Sequence, residues 1–225
     1  MMDQPDLDVR RHIHALDALG RANAVSRTAA AIWPTIRAVS QKVPERPLRV
    51  LDIACGGGHV LLSLARRAVR ERMNIEWVGW DSSPVAIDYA RTLARRGGGQ
   101  GVEFVLANAF CDPFPRGIDV VVCTLFLHHL TEGDAAVLLR RMRKAAGAAV
   151  VVSDLRRTLM GKAFTWVGCR ILSRSEVFRV DGMRSVAAAF TTNEARDLAA
   201  VARLTGARVR AIWPQRWLLT WHKPV

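Results

Sequence analysis

The stretch Val50-Leu51-Asp52-Ile53-Ala54-Cys55-Gly56-Gly57-Gly58 decides how this chain folds. An apolar strand ends beside an acid and breaks into a glycine-rich turn. The next run, His59-Val60-Leu61-Leu62-Ser63-Leu64-Ala65, reads as a helix. The first N–H groups of a helix lack intrahelical partners and favour an anionic group such as a carboxylate or phosphate. Glycine before the helix removes the Cβ that would block a ligand or forbid positive φ.

Working outward, strand-like and helix-like segments alternate. Strands are predicted at 49–54, 75–80, 102–107, 119–124 and 148–153, with helices at 59–72, 84–95 and 131–145 between them. Ser82 or Ser83 is expected to cap the helix at 84–95, and Gly147 to stop the helix before it. The segment 119–124 is almost continuously apolar, as expected when both faces of a sheet are covered. This alternation implies a parallel sheet with right-handed crossovers. A helix at 192–204 and strands at 208–213 and 217–221 close the chain, the two strands suggesting a hairpin-like edge. The fold class is therefore α/β: a Rossmann-like, seven-stranded, mostly parallel sheet with helices on both faces and an antiparallel terminal strand. Residues 6–43 read as helical and form an N-terminal cap. Ser26 is placed as the cap of a second helix there, and Pro34 as its break or kink.

Bulk composition narrows the class. The chain has 225 residues, half of them hydrophobic, enough for one domain with a substantial core. No apolar run reaches membrane-spanning length. The start, Met1-Met2-Asp3-Gln4-Pro5-Asp6, lacks the order of a signal peptide, so a cytoplasmic location is expected. Cys55, Cys111, Cys123 and Cys169 form no Cys-x-x-Cys pair, which points to free thiols rather than a disulfide or a metal site. The formal net charge is +13. Its arginines are scattered over helix ends and exposed faces rather than gathered in one block. That pattern reads as a solvated surface and disfavours nucleic acid as a partner.

The ligand of the glycine turn follows from spacing. A dinucleotide fingerprint starting at Gly56 and Gly58 would need a third glycine where Leu61 stands. A phosphate-binding loop would need Gly-Lys-Ser/Thr, which is absent. The second strand ends Val78-Gly79-Trp80-Asp81, whose acid can accept from both hydroxyls of a ribose. The third ends Ala107-Asn108-Ala109-Phe110, whose amide can address an adenine edge. Structural readings stand beside these: Asp52 as a local cap of amides, Asp81 as the cap of the next helix.

These motifs resemble those of the class I S-adenosylmethionine-dependent methyltransferases over roughly residues 48–155. The resemblance implies that Ala54, Gly56 and Gly58 wrap the methionine part of S-adenosylmethionine, with Asp52 nearby. It implies that Asp81 holds the ribose, flanked by Trp80 and Ser82, and that Asn108 and Ala109 meet the adenine. Ala54 stands where a glycine is common. Asp119-Val120-Val121-Val122-Cys123-Thr124-Leu125 looks like the family's fourth motif, which puts Thr124 and Leu125 on the methyl-transfer side. Residues 1–47 then form the cap and 48–225 the methyltransferase domain, with 155–190 as a substrate lid.

The acceptor is less legible. After the fourth strand comes Phe126-Leu127-His128-His129-Leu130. Either histidine could take a proton from a hydroxyl near neutral pH, or simply start a helix or pack. Resemblance to quinone and polyketide-tailoring enzymes extends weakly to 19–23 and 153–157. It suggests that Asn23 and Arg27 approach the cofactor and that Asp154 and Arg157 lie over the site; capping and surface pairing are the alternatives. The apolar run 159–172, with Trp166, could cover a lipophilic acceptor, face a second copy in a homodimer, or be core. Trp33 and Trp213 are pocket walls or core. The expected activity is methyl transfer to a small aromatic or lipophilic hydroxyl acceptor. An RNA methyltransferase and a non-catalytic S-adenosylmethionine-binding partner protein are the alternatives.

Overall fold

The structure is a computed structural model and describes residues 9–97, 99, 101–158 and 185–224. The segment 159–172 and Trp166, with most of the expected lid, lie outside the described residues. Two helices come first, α1 (Val9–Val25) and α2 (Thr28–Ser40). Strands and helices then alternate: β1 (Leu48–Ile53), α3 (His59–Arg70), β2 (Ile75–Asp81), α4 (Pro84–Gly97), β3 (Val102–Leu106) and β4 (Val120–Thr124). A short 3-10 turn (Leu127–His129) leads to α5 (Glu132–Ala145) and β5 (Ala149–Leu155). After the undescribed segment come α6 (Thr192–Val201), β6 (Arg208–Ile212) and β7 (Arg216–His222).

The sheet has seven strands in the order β3-β2-β1-β4-β5-β7-β6. Strands β1 to β5 pair in parallel, and β7 runs antiparallel to both β5 and β6. Inserting β7 between β5 and β6 brings the first residue of β7 to the edge where the parallel strands end. The strand order reverses at β1/β4, and open α/β sheets place their ligands at that switch point.

Alternation of side chains splits the core into two layers. Val50, Val120, Val122 and Val151 pack on one face against α2, α3 and α4. Leu51, Val121, Val150 and Val152 pack on the other against α5 and α6. Covering both faces explains why β4 is buried along its whole length. Each buried Val or Leu contributes about 1.5–3 kcal/mol of transfer free energy.

Leu61, standing where a dinucleotide fold would keep a glycine, is fully buried. Room for it comes from the opposing strand: a Cβ on Gly79 would lie 2.9 Å from Leu61 Cδ2. The small residue has moved from the helix to β2. At the other end of the sheet Asp119 grips the linker before β1. It accepts from Arg46 Nη1 and Nη2 at 2.7 and 2.6 Å and from the Arg49 N–H at 2.9 Å.

Three expected local details differ. Ser26 does not cap α2; Arg27 takes that place in a left-handed conformation (φ 51°), while Ser26 Oγ lies 3.1 Å from Thr28 Oγ1. Helix α2 continues through Pro34, since it runs unbroken to Ser40. Gly147 is not a left-handed helix stop. Its N–H donates to Ile118 O at 2.8 Å, and a Cβ there would lie 3.1 Å from the same oxygen, so close approach explains the glycine. Ser83 is the serine that caps α4, its Oγ accepting from the Ala86 N–H at 3.3 Å.

Candidate functional site

The turn after β1 exposes backbone because three of its residues adopt positive φ: Ala54 (53°), Gly56 (53°) and Gly58 (75°). Ala54 thus takes the left-handed conformation despite its Cβ, which costs about 1–2 kcal/mol. Gly58 has a second constraint, since a Cβ there would meet the Phe104 ring at 2.7 Å.

Asp81 ties this turn to the end of β2. Its Oδ2 accepts from the Gly56 N–H at 2.8 Å and its Oδ1 from the Ser83 N–H at 2.9 Å. One carboxylate therefore sets the glycine turn and the approach to α4 together. Ser82, the next residue, is exposed. Trp80 is buried beside it, edge-on to Phe114 with ring centroids 5.3 Å apart.

Asp52 is the electrostatic anomaly. It is 1% exposed, and its Oδ1 is buried with no hydrogen-bond partner among the described residues. Burial, reinforced by the Asp81 charge, pushes its carboxyl up to about 8. A buried acid without a donor calls for a cation or an N–H group. An α-ammonium and a sulfonium, both carried by S-adenosylmethionine, meet that need; a nucleoside phosphate does not.

At the end of β3, Asn108 is exposed and closes a local turn, with Oδ1 accepting from the Phe110 N–H at 2.9 Å. Its amide NH2 is the part that remains to address a base. Ala109 is buried next to it. On β4, Thr124 is buried and Leu125 turns the chain outward with φ 54°.

Beyond Leu125 the structure joins two residues that lie far apart in sequence. His128 Nδ1 is 2.6 Å from Asp154 Oδ1, and both are buried. Asp154 also accepts from the Phe126 N–H at 3.1 Å and the Leu155 N–H at 2.6 Å. Burial alone would raise this acid, but His128 and the backbone donors outweigh it and hold the carboxyl below its ordinary range. His129 faces outward, its ring centroid 4.1 Å from that of His128. Asp154 is therefore buried against His128 and the turn after β4.

The other cap and lid candidates separate. Asn23 Oδ1 accepts from Thr28 Oγ1 at 3.1 Å and from both Nη atoms of Arg216 at 3.3 Å. Arg27 is exposed at the start of α2. Arg157 is exposed and pairs with Glu194 of α6. Trp33 is core, whereas Trp213 is 65% exposed and is not core.

Two clusters escaped the sequence reading. The chain's one tyrosine, Tyr89 of α4, hydrogen-bonds Asp17 of α1 and lies 3.4 Å from His59 Nε2 at the start of α3. This contact docks the cap helix on the glycine turn. Arg216, at the head of β7, is 4% exposed. A charged residue opening the apolar run Trp217-Leu218-Leu219 was the available signal.

Residues 50–148 match the family described as methyltransferase domain. A ubiquinone biosynthesis O-methyltransferase of Azoarcus sp. (strain BH72) is 32% identical over 126 residues, 55% of this chain and 51% of that protein. Its counterpart in Azorhizobium caulinodans is 32% identical over 138 residues, 58% of this chain and 49% of that one. The chain thus spans about half the length of the curated relatives it matches. Among solved structures, magnesium protoporphyrin IX methyltransferase from Synechocystis PCC 6803 with bound SAH covers 92% of this chain at 15% identity, 84% of its own length being matched, with a TM-score of 0.61. A plantazolicin methyltransferase bound to SAH and a desmethyl analogue reaches 0.67 at 15% identity, over 92% of this chain and 87% of that one. At such identities the structural likeness speaks for the fold alone.

Proposed function

We propose that this chain, whose residues 50–148 match the methyltransferase domain family, is a class I, S-adenosylmethionine-dependent enzyme that methylates a small aromatic or lipophilic molecule at a hydroxyl oxygen. The observation that carries the choice of oxygen is the buried His128–Asp154 pair, 2.6 Å apart. A hydroxyl is a poor nucleophile until its proton is removed, whereas most carbon and amine acceptors need alignment more than a base.

S-adenosylmethionine, when bound, supplies a methyl already activated by the sulfonium. The residues of this chain do the rest. Ala54, Gly56 and Gly58 offer bare backbone to the methionine part, and Asp52 meets its ammonium. Asp81 accepts from the ribose, with Ser82 beside it, while Asn108 and Ala109 border the adenine. Thr124 and Leu125 form the floor towards the acceptor. Asp154 holds a proton on His128 Nδ1, which fixes the tautomer and leaves Nε2 as the basic atom. His128 Nε2 would take the proton of the acceptor hydroxyl, which would leave its oxygen nucleophilic. His129 walls the same side. The names of the curated relatives support a quinol-like acceptor.

Isothermal titration with S-adenosylmethionine and its demethylated product tests the cofactor; absence of binding to either would sink the proposal. Tritiated-methyl transfer into fractionated extract tests the acceptor. Label in a small apolar product is expected. Label in RNA instead would replace this reading with that of an RNA methyltransferase. Binding without label in any fraction would favour a non-catalytic partner protein.

A further inference from the structure

The strongest group outside that mechanism is Arg216. Leu218 packs on the sheet face covered by α2 and α3, and Trp217 on the opposite face, so Arg216 shares the α2 side. There its guanidinium is buried, yet every partner is a neutral oxygen. Nη1 donates to Thr28 Oγ1, and Nη1 and Nη2 both reach Asn23 Oδ1 at 3.3 Å. Among the described residues no carboxylate forms an ion pair with it. Asp154 attracts it from a distance only, and burial pulls its basicity down to about 10. Buried charges are normally paired. The two Asn23 contacts are long and converge on one oxygen, whereas a guanidinium fork matches two.

A second observation points the same way. Ser153 pairs with Leu218 across β5 and β7 and lies on the same face as Val151, which packs under α2 and α3. Its hydroxyl is fully buried and has no hydrogen-bond partner among the described residues. A cation and a hydroxyl donor, both buried and both under-used, thus lie on neighbouring strands, Ser153 facing Leu218, two residues along β7 from Arg216. The α1–α2 junction covers them, and they stand at the end of the sheet that carries the glycine turn.

We propose that Arg216, with Ser153 and Thr28, forms a carboxylate-binding subsite beneath the α1–α2 junction, where a carboxylate displaces the Asn23 contacts. Two ligands could bring that group, the amino-acid tail of the cofactor or an acid on the acceptor. The inference rests on the methyltransferase reading above.

Calorimetry on the full chain distinguishes the sources. One arm compares S-adenosylmethionine with decarboxylated S-adenosylmethionine. The other compares 3,4-dihydroxybenzoate with catechol in the presence of the demethylated cofactor product. The carboxylate-bearing member of at least one pair is expected to bind tenfold tighter or more, and which pair does so identifies the source. R216Q abolishes that preference and R216K restores part of it, while thermal melts report whether each variant folds. A structural pin would weaken both members of a pair alike. A wild-type preference below twofold in both arms overturns the subsite without needing any variant, and so does a preference that survives in folded R216Q. No binding of S-adenosylmethionine at all overturns the methyltransferase reading itself, a different result from binding without discrimination.

Discussion

Replacing Asp52 with Asn should make the empty protein more stable and the loaded protein worse. The carboxyl is completely buried and titrates at about 8 in the fold, against 3.8 for the ordinary group. Its folded value is raised, so between those limits the folded state holds a proton that the unfolded state has lost. Stability therefore falls as pH rises through this window, by about 1.4 kcal/mol per pH unit. By pH 7 the accumulated penalty is roughly 4 kcal/mol, and at pH 5 it is below about 2 kcal/mol. Asn keeps the shape and has no charge to desolvate. In urea titrations at pH 7, D52N should gain about 3–4 kcal/mol, a midpoint shift of about 1 M or more, and the gain should shrink at pH 5. A ligand ammonium would favour the ionised acid, so cofactor binding to the wild type should release close to one proton near pH 7. Calorimetry in buffers of different ionisation enthalpy reads that proton directly. D52N should release none and bind tenfold or more weakly. A variant no more stable than wild type at pH 7, or a gain that does not change with pH, would refute the reasoning.

Ala54→Gly should relieve the left-handed strain at φ 53°; about 1–2 kcal/mol of relief, less the entropy of an unfolded glycine, leaves a gain of roughly 0.5–1 kcal/mol in denaturant melts. Loss of stability would show that the turn is not strained there. His128→Asn should lower kcat about a hundredfold or more with cofactor affinity little changed, and His129→Asn should cost far less; the reverse ranking in initial-rate assays would assign the base to His129. Asp154→Asn should cost about 1.5–3 kcal/mol at pH 7, because it exchanges charge-assisted hydrogen bonds from a buried histidine and two backbone amides for weaker neutral ones. The folded carboxyl lies below its ordinary range, so its contribution is full above that range and fades as pH falls through the folded value. The gap between D154N and wild type in thermal melts should therefore close towards pH 2, and a constant gap would contradict the pairing.

Local patterns carried much of this protein. The alternation of apolar runs with amphipathic ones fixed the sheet and its helices, because a strand covered on both faces must be apolar along its length, as β4 is. Glycines at 56 and 58 and an acid at 81 marked the turn and strand end that the structure ties together, since both are written in nearby residues. Ser26 misled because Ser, Arg and Thr compete for one helix start, and the Arg216–Asn23–Thr28 contact, invisible in local sequence, settles the geometry. Gly147 misled because glycine serves both left-handed stops and close approach, and only the position of Ile118 O separates them.

By itself, then, the sequence determined the α/β frame and set the proposed cofactor residues at its strand ends, because both are encoded at spacings of a few residues. Tertiary structure decided which side chains act together. Asp154 meets His128 because β5 pairs beside β4. Arg216 reaches the cap because β7 runs antiparallel and starts where the other strands end. No periodicity in the chain records contacts between residues 26 or 193 positions apart. The closing of the sheet creates them.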